Sequence, residues 1–351
     1  MTLSVVMPVY NVDCAYLEKC LRSLLSQSVE GGYEVIIVDD GSNNGCSKVA
    51  ARFSAEQENF AYIYKDNEGT SVARNLGLSH ISGEYVLFVD ADDYLSPNIF
   101  QTLADTIRER GSDVLFFGYA TAYANREVSR VIKGHDLDSR IWNRRSLELS
   151  VLKGEPLIGP VDVGAPWGKL IRAEVIKGNN IRYVPGLKKG QDTVFSLELF
   201  EAAASFSYVP ILGYHYRVSE KSVSRRFQSD IVGTMEKTLS EFRRFCEVHE
   251  KDEEFFHAVD RKYYKVLLGE YMEIYFLHKD NPLYGTDRLR KEFLKLISRE
   301  PYKSAIESLD NSSGSLDDLA RCLMKSHRIR VLFDFKRLEF MLRGMVVKRY
   351  G

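Results

Sequence analysis

Five cysteines in 351 residues, an odd number with no CxxC pair, argue against a disulfide framework and against a structural zinc cluster. A reducing cytosol is the simplest compartment for such a chain. Neither charge sign is in surplus: 48 basic side chains face 49 acidic ones, so the broad basic footprint of a nucleic-acid binder is missing. Long hydrophobic runs are missing too. VLFV at 86–89 is far too short to span a bilayer, and the first residues carry no basic stretch followed by an apolar one, so no signal peptide is expected. No GxxxxGK[ST] phosphate loop occurs, no GxGxxG follows the first apolar run, and no GxSxG elbow is present. No internal repeat is found. What remains is ordinary globular composition, 44% apolar and 28% charged, long enough for two domains.

The first 117 residues have a regular rhythm. Short apolar runs at 3–7, 34–38, 60–64, 84–89 and 113–117 alternate with helical spacing at 15–27, 46–57, 71–81 and 97–110. Strands alternating with amphipathic helices predict an α/β fold with a mostly parallel central sheet. In such sheets ligands bind beyond the carboxyl ends of the strands. Residues 118–165 lose the rhythm and read as a loop-rich insertion. After PWGKLIR (166–172) come a helix at 191–204 and strands at 206–209 and 212–217. The remainder is helical at 230–248, 252–278, 285–299 and 316–349, with a linker at 309–315 and Ser315 as a cap for the last helix.

Four polar clusters follow four successive strands: MPVYN (7–11), VDDGS (38–42), DNEGTSVARNLG (66–77) and FVDADDY (88–94). Close carboxylates such as Asp90, Asp92 and Asp93 repel one another unless a cation neutralises them, and a hard divalent ion would do so while holding substrate phosphates. An acidic turn capping the next helix is the plainer reading of the same residues. Arg74, in the first turns of a helix, has the fork to meet a phosphate or to pair on a helix surface.

In this order and spacing the clusters resemble the family 2 inverting glycosyltransferases, over residues 3–100. A second block, 165–226, resembles the bacterial branch that builds surface polysaccharides. The resemblance implies the GT-A fold, a nucleotide-binding α/β sandwich, over 1–222, with a nucleotide-sugar half (1–117), an acceptor half (118–222) and a helical region at 223–351. It implies Pro8 and Tyr10 under the nucleotide, Asp40 at the uracil edge of a UDP-sugar, Arg74 near the diphosphate, and Asp90 and Asp92 as the DxD pair. Asp92 would ligate Mn²⁺ or Mg²⁺. In KKGQDTVF (188–195), Asp192 falls at the position of the catalytic base, and Gln191 stands where the family has Glu. In GYHYRVSEKSVSRRF (213–227), Arg217 and His215 would face the diphosphate, His215 as a further metal ligand or simply as a strand histidine. Ser222, Ser224, Arg225 and Arg226 would belong to a closing loop.

The implied reaction is transfer of a hexosyl or N-acetylhexosaminyl group to a glycan or lipid-linked glycan. A catalytically silent sugar-nucleotide sensor or scaffold is the alternative. Residues 325–351 carry eight Lys/Arg against Asp334 and Glu339, among apolar residues. That pattern suits peripheral contact with the inner face of the cytoplasmic membrane, or packing on its own domain or in a homodimer. The aromatic stretch around Tyr263, Tyr264, Tyr271, Tyr275 and Phe276 reads as core or dimer interface.

Overall fold

The computed structural model describes residues 1–132, 142–157, 161–218, 226–309 and 316–350, with side chains to 342 in the last segment. The chain divides into two compact units, Met1–Glu220 and Lys221–Gly351.

The first unit opens with β1 (Leu3–Val9), α1 (Cys14–Leu25), β2 (Tyr33–Asp40), α2 (Cys46–Glu56), β3 (Phe60–Lys65), α3 (Thr70–Ser79) and β4 (Tyr85–Phe88). β1 is buried along nearly its whole length, as a central parallel strand covered on both faces must be. Helix α1 starts where the Asp13 carboxylate accepts from the Ala15 amide at 2.9 Å. These strands pair in parallel in the order β3-β2-β1-β4. Gly77 lets α3 lie close on the sheet, because a Cβ there would stand 2.5 Å from Val6 Cγ1.

Next come β5 (Tyr94–Leu95), α4 (Ile99–Arg110), β6 (Val114–Ala122), β7 (Glu127–Arg130), α5 (Arg144–Lys153), β8 (Lys169–Arg172), α6 (Ala173–Gly178), α7 (Gln191–Ala202) and β9 (Phe206–Arg217). The sheet, nine-stranded among the described residues, continues from β4 through β8, β6 and β9 to β5, with β7 beside β6. Here the parallel order ends. PWGKLIR supplies a strand that runs antiparallel between β4 and β6. The pairs β6–β7 and β5–β9 are also antiparallel, whereas β6–β9 is parallel. The two runs expected at 206–209 and 212–217 form one strand whose register shifts opposite Gly118. The loop-rich stretch holds β7 and α5 among its described residues.

The second unit is helical: α8 (Ile231–Val248), α9 (Glu253–Val266), a π-helical continuation (Leu267–Phe276), α10 (Asp287–Ile297), α11 (Tyr302–Ser308), α12 (Leu316–Lys325) and α13 (Ile329–Tyr350). The single helix expected over 316–349 breaks at His327, which adopts φ 54°. The Arg328 amide bonds Leu323 O at 2.8 Å and the His327 amide bonds Met324 O at 2.9 Å, a helix-ending pair of bonds. Of the expected 309–315 linker only Leu309 is described, and Ser315 lies outside the described residues. Tyr263, Tyr264, Tyr271 and Phe276 are buried core residues, and the Tyr271 and Tyr302 hydroxyls meet at 2.8 Å. Helix α13 buries Leu332, Phe333 and a Lys336–Glu339 ion pair, while Val331, Leu338, Met341 and Leu342 are exposed. Among the described residues no helix is long and apolar enough to cross a membrane.

Candidate active site

The carboxyl ends of β1, β2 and β4 and the first turns of α3 and α7 converge on one cleft of about 380 Å³. Pro8, Val9, Tyr10, Val12, Asp40, Thr70, Arg74, Asp90, Ala91, Asp92, Gln191 and Asp192 line it. That volume is in the range of a small-molecule site. Tyr10, at the lip, is 53% exposed. Asn11 adopts φ 49° and binds the loop after β2: its amide donates to Ser42 Oγ at 3.0 Å, and its Oδ1 accepts from the Asn43 amide at 2.8 Å.

The two acids at the end of β2 have different surroundings. Asp39 is buried and accepts from the Ser42 amide (2.9 Å) and the Tyr62 hydroxyl (2.8 Å). Burial pushes its pKa up, but hydrogen bonds from Ser47, Ser42 and Tyr62 outweigh it and the net shift is downward. Asp40 Oδ1 accepts from Lys65 Nζ (2.7 Å) and the Glu68 amide (3.0 Å), and Oδ2 from the Gly69 amide (2.8 Å). A carboxylate has about four lone-pair sites, so Asp40 shapes the loop after β3 and keeps capacity for one more donor.

Arg74 is the hinge of the cleft. It is 3% exposed, lies over the Tyr183 ring, and donates to Asp90 Oδ1 at 2.8 Å and, through a short bond, to Asp192 Oδ1. Burial works against its charge, yet Asp192, Tyr183 and Asp90 hold it firmly protonated. Asp192 sits in the first turn of α7, whose N-cap is Gly190 with φ 70°. Burial raises its pKa to about 6, more than Arg74 lowers it, with Asp90 adding to the rise. Its Oδ2 has no hydrogen-bond partner among the described residues. Beside it, Gln191 Oε1 is buried without a partner among the described residues.

The acidic turn is clamped from β9. The Tyr214 hydroxyl donates to Asp93 Oδ2 at 2.6 Å and accepts from the Asp90 amide at 3.1 Å. The Arg217 amide donates to Asp93 Oδ1 and its Nε to Asp92 O, both at 2.7 Å. Burial, then the charges of Asp90 and Asp92, push Asp93 up to about 8. Asp93 therefore ties the turn down, while Asp92 stands open at the cleft. Burial by its neighbours and then Asp90 also raise Asp92. Arg217 is not among the residues lining the cleft, but its Nη2 is buried without a partner among the described residues.

Of the two readings left open for His215, metal ligand or strand histidine, its surroundings suit the second. Alternation along β9 puts it on the face opposite Tyr214. Its Nε2 meets Ser96 Oγ at 2.9 Å, its Nδ1 meets Glu127 Oε2 at 3.1 Å, and its ring stacks on Tyr94. Both nitrogens are used, and burial lowers its pKa despite Glu127. Of the expected closing loop, Ser222, Ser224 and Arg225 lie outside the described residues, and Arg226 is exposed.

Sequence reasoning passed over Lys169. Its ammonium is buried between Val163 O (2.8 Å) and Ser196 Oγ (2.9 Å), fastening the segment before β8 to α7. Burial lowers its pKa to about 7, against the pull of Asp162 and Asp192. The available signal was a lysine flanked by apolar residues in PWGKLIR.

Residues 4–164 match the model of glycosyl transferase family 2. The glycosyltransferase GlyA of Streptococcus pneumoniae is 31% identical over 227 residues, 64% of this chain and 31% of that protein. The glycosyltransferase YibD of Escherichia coli is 30% identical over 230 residues, 64% of this chain and 63% of that protein. The chain thus spans about a third of the one and under two thirds of the other. Residues 1–349 of Staphylococcus aureus TarS, solved in complex with UDP-GlcNAc, share the fold at a TM-score of 0.64 and 19% identity, over 97% of this chain and 92% of that one. The sheet order, the carboxylates at its parallel strand ends and the match over residues 4–164 agree: that stretch is similar to glycosyl transferase family 2, and the fold is GT-A.

Proposed function

We propose that the chain is an inverting glycosyltransferase that moves a hexosyl or N-acetylhexosaminyl group from a UDP-sugar to a hydroxyl of a glycan or lipid-linked glycan. The observation that carries this reading is that Arg74 joins Asp90, of the DxD turn, to Asp192, on the acceptor side of the same cleft. The UDP-GlcNAc complex of the TarS fragment supports a uridine donor.

An inverting transfer needs one carboxylate to take the acceptor's proton, and no acid to protonate a diphosphate leaving group. Asp192 suits the base. Arg74 fixes its Oδ1, Oδ2 remains for the acceptor hydroxyl, and a pKa of about 6 keeps it ionised yet basic near neutral pH. Gln191 Oε1, buried and unpartnered among the described residues, suits a second acceptor hydroxyl. Arg217 Nη2 and Arg74 Nε, also buried without partners among the described residues, suit diphosphate oxygens. Asp40 retains a lone pair for a uracil N–H.

The donor set fits a divalent cation shared with substrate. No group of three or more His, Cys, Asp and Glu is placed to hold a metal among the described residues, whereas Asp92 is open and crowded by Asp90's charge. One or two carboxylates plus substrate phosphates is the usual arrangement for Mg²⁺. When bound at Asp92, Mn²⁺ or Mg²⁺ would stabilise the negative charge of the departing diphosphate.

The test is the melting temperature with UDP, GDP, CDP or dTDP, with and without Mn²⁺, for the wild type and Asp92→Ala. Nucleotide at about 100 times its Kd should stabilise by roughly 2.7 kcal/mol, a rise of about 5–11 °C for a unit of this size. A Mn²⁺-dependent shift with UDP that Asp92→Ala abolishes is expected. No shift with any nucleotide would overturn the donor assignment.

A further inference from the structure

Four aromatic rings stand beside the cleft without lining it. Tyr214 and Tyr216, two residues apart on β9, share one face of the strand. Both stack on Trp167, with centroids 4.9 and 5.4 Å apart and planes 8° and 24° apart. Tyr119, opposite Tyr214 on β6, meets Trp167 edge-on at 4.8 Å. Trp167 and Tyr214 are buried, but Tyr216 is 40% exposed. The ring is therefore held rigidly by its neighbours and left open to solvent.

The surroundings of Tyr216 tie it to the chemistry. Tyr214, beneath the same stack, is hydrogen-bonded to Asp93 and to the Asp90 amide. Arg217, the next residue, holds the Asp92 carbonyl. Burial raises the Tyr216 phenol pKa first, followed by the charges of Asp93, Asp92, Asp90 and Asp162. Asp162 belongs to the segment before β8 that Lys169 and Ser196 fasten through Val163 O and Gly164 O. Ser196 lies on α7, the helix that carries Asp192. The open ring thus lies within electrostatic reach of both the DxD turn and the segment pinned to the helix of Asp192.

We propose that Tyr216, backed by Trp167, is a stacking platform for a pyranose ring of the acceptor, the sugar that presents its hydroxyl to Asp192. A pyranose in its chair form has a flat face of C–H groups, whose positive ends complement the negative face of an aromatic ring. Its equatorial hydroxyls point outward, where Asp162, within electrostatic reach of Tyr216, offers acceptors. An acyclic polyol has no fixed apolar face and gains little from such a ring. The assignment to the acceptor rests on Asp192 being the base; the stacking itself does not.

The experiment is saturation-transfer NMR on the full chain with UDP and Mn²⁺. The probes are methyl β-D-glucopyranoside, methyl β-D-galactopyranoside and methyl N-acetyl-β-D-glucosaminide, with ribitol as the acyclic control. At least one pyranoside should receive saturation on its ring C–H protons. Tyr216→Ala should weaken its binding roughly 2- to 10-fold, the range set by one aromatic contact, and Tyr216→Phe should keep it. Equal binding to wild type and Tyr216→Ala, ribitol binding as well as the pyranosides, or no pyranoside bound by wild type would each overturn the platform. The UDP-induced melting shift, measured on the same samples, separates the two proposals. A missing shift counts against the donor site; a normal shift with no Tyr216-dependent pyranoside signal counts against the platform alone.

Discussion

Between β1 and β4 each polar cluster follows its own strand within a few residues, and the parallel order carries all of them to one edge. Between β6 and β9 the candidate-site groups and their supports arrive differently. Lys169 comes from a strand that runs against its neighbours, Tyr214 from a strand paired across a register shift, and Asp192 from a helix whose N-cap is a left-handed glycine. The parallel half repeats one local device. The other half assembles groups that are far apart in sequence, as in the Arg74–Asp192 pair, 118 residues apart. On the proposed reading, donor recognition is accordingly modular, whereas the base depends on the packing of the whole unit.

The largest expected effect separates these halves. Asp192→Asn should lower transfer by about 10²–10⁴-fold while leaving the UDP-induced melting shift in place. Retained transfer would mean that the base is elsewhere and the division of labour is wrong. A pH profile sharpens the same point. Below about pH 6 the rate should fall tenfold per unit, because only ionised Asp192 accepts a proton. The stability linkage has the opposite direction. With its folded pKa raised, Asp192 contributes stability below the ordinary carboxylate range, and that contribution is lost as pH rises through about 6. Asp192→Asn should flatten both curves, and an acid limb that survives the substitution would assign it to another group.

A smaller effect probes the parallel half alone. Gly77→Ala would drive a Cβ to 2.5 Å from Val6 Cγ1 and 3.5 Å from Val38 Cγ2. Overpacking there should cost about 1–3 kcal/mol, measured by urea unfolding, and Val6→Ala in the same chain should recover part of it. An unchanged midpoint would show that α3 is free to shift on the sheet. The smallest effect lies in the helical unit. His327→Gly, at φ 54°, should gain about 0.5–1 kcal/mol, because glycine takes the left-handed region without a Cβ penalty. A loss would mean that the imidazole itself contributes to the break between α12 and α13.

Legibility followed the same division. The strands of the parallel half, the helices between them and the clusters of Asp40, Arg74, Asp90 and Asp92 were readable, since strand, turn and cluster are consecutive residues. The strand in PWGKLIR was not, because four residues inserted antiparallel show no period of their own. The role of His215 stayed open between metal ligand and strand histidine, because pattern alone does not say which face of β9 meets the acidic turn. The break at His327 was hidden by apolar spacing that continues across it.

The chain's residues by themselves determined that an α/β sheet would gather acids and an arginine at its carboxyl edge, because parallel strands bring every following loop to the same side. Only the tertiary structure decided what each acid does. Asp39 is tied to Tyr62, Asp93 is buried against Tyr214 121 residues away, Asp92 is left open, and Asp192 is raised by burial yet held by Arg74. Identical carboxylates differ in desolvation and in nearby charge, and both are properties of the packed molecule rather than of the residue.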